Sequence, residues 1–125
     1  MVSAMSNNPN GCELAKTDKN KLPEEDIILK NEPLPLFCAM CHRDLFNYIG
    51  GFIKEYPYTW YENEELAFRM KKKGLLQGIS SKSWIKHYGG STVKYFLDQD
   101  PKIINIINEN RNLCINDIKK LSGKI

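Results

Sequence analysis

The sequence predicts a mixed α/β domain, and three observations carry that expectation. Short apolar runs of strand length, residues 1–6 and 36–41, lie far apart in the chain. Two longer stretches, 62–73 and 101–120, space their apolar residues as helices do. Glycine and proline clusters separate these segments at turn positions. With 125 residues, 42% hydrophobic and 26% charged, the composition is that of one globular domain spanning 1–125.

In chain order, residues 1–6 read as a strand that stops at Ser6-Asn7-Asn8-Pro9-Asn10-Gly11, a dense set of turn formers. Residues 12–35 are polar, contain three prolines, and are expected to form a long irregular loop with a short strand at Ile27-Ile28-Leu29. Leu36-Phe37-Cys38-Ala39-Met40-Cys41 is an unbroken apolar run and reads as a buried strand. His42-Arg43-Asp44 opens a short helix over Leu45 to Ile49, closed by Gly50-Gly51 in a left-handed cap. An aromatic loop, Phe52 to Tyr61, precedes a helix over Glu62 to Lys73. Its first turn is acidic, its last turn basic, and Leu66, Ala67, Phe68 and Met70 form its buried side. Gly74 ends it. Two short strands follow, near Leu75–Ile79 and Trp84–Tyr88, then a Gly89-Gly90-Ser91-Thr92 loop. Residues 99–121 form a C-terminal helical tail started by Pro101.

The net charge of +3 is mild, and only Lys71-Lys72-Lys73 concentrates it, so no nucleic-acid footprint is present. No run approaches the roughly 20 apolar residues a membrane span needs. With no leader-like start, the expected location is cytoplasmic or peripheral at a membrane. The four cysteines, Cys12, Cys38, Cys41 and Cys114, are then expected to be reduced and mostly core-filling.

Four motifs succeed one another between Phe37 and Thr92: Arg43-Asp44-Leu45-Phe46; Gly50-Gly51-Phe52; Tyr61-Glu62-Asn63-Glu64-Glu65-Leu66 with Arg69; and His87-Tyr88-Gly89-Gly90-Ser91-Thr92. Each is weak alone. Their order and spacing resembles the second half of the GT-A (nucleotide-diphospho-sugar transferase-like) fold in family 2 glycosyltransferases, with Asn110-Arg111-Asn112-Leu113 similar to a motif that often closes such enzymes. The resemblance covers nearly half the chain firmly. It implies a partial GT-A fold, short strands with two or three helices, and an inverting transfer of sugar from a nucleotide-sugar to a saccharide or lipid-linked acceptor.

Such chemistry needs a carboxylate base for the acceptor hydroxyl and stabilisation of the departing diphosphate, usually by a divalent ion such as Mn or Mg. The resemblance puts the base at Asn63, which cannot take a proton. Glu62, Glu64 or Glu65 then assumes the role, or the site has lost it; first-turn acids also serve plain dipole and capping purposes. His87 resembles the family's metal-binding histidine, although one histidine at a strand end is more often structural. Trp60 and Tyr61 could stack on a sugar ring or simply pack. The resemblance places Gly50 and Gly51 with them among the substrate-binding residues.

Two departures stand out. Leu36 occupies a place where the family often has glycine, and nothing before Phe37 supplies the Asp-x-Asp nucleotide-binding half. Asp98-Gln99-Asp100 has that spacing but reads as helix capping from its position. The chain is therefore expected to be inactive alone. The rival reading is a non-catalytic module, derived from that fold, that binds glycan or a partner. Strands parted from a larger sheet would expose edges and favour a homodimer. Cys38-Ala39-Met40-Cys41-His42 also matches a haem-attachment or zinc pattern, but cysteines three apart on a strand face opposite ways.

Overall fold

A computed structural model of the chain describes residues 1–9, 11–30, 32–58 and 60–123; Asn10 of the expected turn cluster and Thr59 of the aromatic loop lie outside the described residues. The architecture is mixed α/β. Among the described residues it comprises a four-stranded sheet, β1 (Val2–Ser6), β2 (Ile27–Leu29), β3 (Ala39–Met40) and β4 (Gln77–Ile85). The helices are α1 (Arg43–Ile49), α2 (Glu62–Lys72), α3 (Ser91–Gln99) and α4 (Ile103–Ser122). Four helices replace the two or three expected.

The strand order is β2-β4-β1-β3. β1 and β4 run parallel at the centre, and both edge strands are antiparallel to their neighbours. Val2, Ser3 and Ala4 lie opposite Gly78, Ile79 and Ser80, after which the register jumps so that Met5 faces Trp84. The polar residues between Ser80 and Trp84 form this bulge. They also made one strand read as two, because a break in apolar patterning looks the same for a bulge as for a turn. Asp26 holds the bulge: its carboxylate accepts from Ser81 N (2.7 Å) and Ser81 Oγ (3.0 Å). Gly78 lets β2 close in, since a Cβ there would stand 3.1 Å from the Ile27 carbonyl oxygen.

The apolar run 36–41 is not a buried strand. Leu36–Cys38 is a 3-10 turn, and the two-residue β3 that follows is an edge strand with Met40 79% exposed. Pro33 and Pro35 remove ladder donors just upstream, and proline-flanked segments belong at sheet edges. The expected Gly89–Thr92 loop ends early: Gly90 is the cap (φ 64°) and Ser91 begins α3. Asp98 lies in that helix, while Asp100 Oδ1 accepts from Lys102 N at 2.9 Å beside the start of α4, in line with a capping role.

Three clusters make the core. Met5, Cys12, Ala15, Leu29, Leu34 and Ile79 pack beside the sheet. Ile49, Leu66 and Met70 join α1 to α2, with Met1 and Leu36 touching both clusters. Val93, Ile103 and Ile107 join α3 to α4. On α2 only Glu65, Leu66 and Met70 are fully buried; Ala67 and Phe68 are half-buried. No helix among the described residues is long and apolar enough to cross a membrane.

Candidate functional site

Parallel strands release their chains at the same end of the sheet, and open α/β sheets bind ligands just beyond that end. β1 ends at Ser6 and β4 at Ile85, and there the two chains remain tied. Asn7 Oδ1 accepts from His87 N (2.9 Å) and Asn7 Nδ2 donates to His87 O (3.1 Å), so a side-chain amide continues the ladder by one step. The His87 ring is fixed twice more. Its Nδ1 lies 2.6 Å from the Asn8 carbonyl, and its face stacks on Phe37 with centroids 4.8 Å apart. A carbonyl only accepts, so Nδ1 carries the hydrogen and Nε2 of the neutral ring keeps a lone pair.

A cleft of about 690 Å³ opens at this point. His87 and the Gly89–Val93 segment line one side, Pro35 to Phe37 another, and Trp60 to Glu64 a third. Five sequence-selected residues therefore meet here: Trp60, Tyr61, Glu62, Asn63 and His87. The other three do not. Glu65 is 1% exposed and forms a two-oxygen ion pair with Arg69, at 2.6 Å to Nε and 2.7 Å to Nη2. Arg69 also donates to the carbonyls of Ile49 and Gly51, each at 2.8 Å. Glu65 thus fastens the Gly50-Gly51 turn to α2, and both glycines belong to that turn rather than to the cleft lining. Gly50 caps α1 at φ 97°, a conformation that costs other residues about 1–2 kcal/mol.

Glu64 is the carboxylate the site makes unusual. One of its oxygens is buried with no hydrogen-bond partner. Burial raises its carboxyl above the ordinary carboxylate range; a hydrogen bond from its own backbone N–H opposes this, and the Glu62 charge adds to it. The wall that carries Trp60 and Tyr61 is strained. Tyr58, Trp60 and Tyr61 all take left-handed backbone angles (φ 68°, 79° and 72°), rare for large side chains. Asn7, Asn8 and Phe37 were missed as site residues, because the first two are also turn formers and the third sat in an expected core strand.

Among the described residues no three His, Cys, Asp or Glu side chains converge as a metal set. His87 has the arrangement of a ligand, with the other ring nitrogen engaged by a carbonyl, but these residues do not complete a Mn or Mg site. At Cys38-x-x-Cys41-His42, both cysteines are free thiols and His42 Nδ1 accepts from Asp44 N (3.2 Å), capping α1. Comparison with protein-family models, curated proteins and solved structures gives no match to the chain.

Proposed function

We propose that the chain is the acceptor-side part of an inverting family 2 glycosyltransferase with a partial GT-A fold, and that the cleft takes the saccharide. One observation carries the reading: a single cleft gathers Trp60, Tyr61, Glu62, Asn63 and His87, five of the eight residues singled out in the sequence, from two distant stretches of chain. A pyranose ring has an apolar face suited to Trp60 and Tyr61 and hydroxyls suited to the neighbouring carboxylates. As an acceptor hydroxyl attacks the anomeric carbon, a carboxylate takes its proton while the nucleotide diphosphate departs. Asn63 cannot do this and Glu65 is bound to Arg69, which leaves Glu62 and Glu64 on the cleft lining. In a complete enzyme the divalent ion would be held by residues beyond this cleft.

Asn63 on the lining, at the position where the resemblance puts the base, favours the second reading: a glycan-binding or partner-binding module without catalysis. Calorimetric titration with saccharides and nucleotide-sugars, with and without Mn²⁺, tests the saccharide reading that the two share. Saccharide binding with no nucleotide-sugar binding is the expected result and fits both an acceptor-side part and a module. Metal-dependent binding of nucleotide-sugar would assign a donor site to this chain. A folded sample that binds neither sinks the saccharide reading.

A further inference from the structure

The strained cleft wall is held from outside the cleft. Tyr56 OH donates to Asp117 Oδ2 of α4 at 3.1 Å. Asn110 of α4, 1% exposed, donates from Nδ2 to the Pro57 carbonyl at 2.9 Å. Tyr58 meets Phe96 of α3 edge to face, with ring centroids 5.2 Å apart. These ties fall on Tyr56, Pro57 and Tyr58, at the start of the stretch that holds the left-handed residues Tyr58, Trp60 and Tyr61. A backbone in sparsely populated angles persists only where its surroundings over-determine it. None of the residues of α4 lines the cleft, yet α4 supplies two of the three ties.

We propose that Asn110 and Asp117 are positioning residues of the cleft: they hold Tyr56 and Pro57 so that Trp60 and Tyr61 present a preformed wall to a saccharide ring. The proposal rests on the saccharide reading for its ligand and on the loop geometry alone for its positioning. Preforming a binding wall lowers the ordering cost of association, so loosening it weakens binding without removing any contacting group.

The two tryptophans make the test specific. Trp84 donates from Nε1 to the Thr17 carbonyl at 3.0 Å beside the sheet core and serves as an internal control. In 5-fluorotryptophan-labelled protein, Asp117→Ala and Asn110→Asp should shift or broaden the Trp60 resonance and leave that of Trp84 in place. Affinity for the saccharide that the wild type binds should fall roughly tenfold, the size expected for one lost buried hydrogen bond. Asp117→Asn keeps an acceptor for Tyr56 and should restore both readings. Tyr56→Phe removes the same bond with little change of shape, and replaces Asp117→Ala if that variant does not fold.

An unmoved Trp60 resonance in Tyr56→Phe and Asn110→Asp overturns the proposal, as does a moved resonance with unchanged affinity. If the wild type binds no saccharide, the functional reading fails separately, and the Trp60 resonance alone decides the positioning role.

Discussion

Glu64 shows how one side chain can carry a cost that depends on pH. Its carboxyl is raised by burial, with one oxygen lacking a partner. Well below the ordinary carboxylate value it is protonated in both folded and unfolded chains and costs nothing. As pH rises, the unfolded chain ionises first, and stability is lost until the raised folded value is passed. Glu64→Gln is uncharged throughout, so its stability relative to wild type should increase from acidic to neutral pH. Urea unfolding across that range checks the sign, and a constant difference would show that water reaches the carboxylate. The sequence could place Glu64 in an acidic first turn, where dipole arguments treat all three glutamates alike. It could not tell them apart, because Arg69 claims Glu65 and burial singles out Glu64 only once the chain has folded.

Between elements, the strongest polar link joins α2 to the end of α1. Arg69 donates to Glu65, Ile49 and Gly51, with 13% of its side chain exposed. Arg69→Ala would leave Glu65 buried without its partner and should destabilise the fold by about 3–5 kcal/mol. A loss under about 1 kcal/mol in urea denaturation would put the pair in the class of exposed ion pairs instead. Helices with clear periodicity and glycine ends, α1, α2 and α4, were readable within one or two residues. α3 was not, because its first residues, Ser91 and Thr92, follow two glycines and resemble a loop. The run 36–41 failed differently: its composition said strand, but its upstream prolines and its edge position governed. Half of the cleft was readable as motifs. Phe37 on its lining, and Asn7 and Asn8 that fix His87, depend on strands that meet only in the folded sheet.

For the whole molecule, the sheet edges govern association. β2 and β3 are three and two residues long, and each exposes an apolar side chain: Ile28 at 53% and Met40 at 79%. Short edges resist pairing, whereas exposed apolar ones invite it. A dimer formed through them would double the 14.4 kDa chain mass in light scattering at high concentration. A monomeric mass would show that edges this short cannot template pairing. The centre of the sheet has a further consequence. β1 is synthesised first among the strands, yet its parallel partner β4 begins at residue 77. At ordinary translation speeds that interval is roughly 4–16 s. β3 can offer β1 only two paired residues meanwhile, so the slot filled last is the middle of the sheet. During synthesis it is therefore the central strand, more than either edge, that stands open to capture by a chaperone or by another nascent chain.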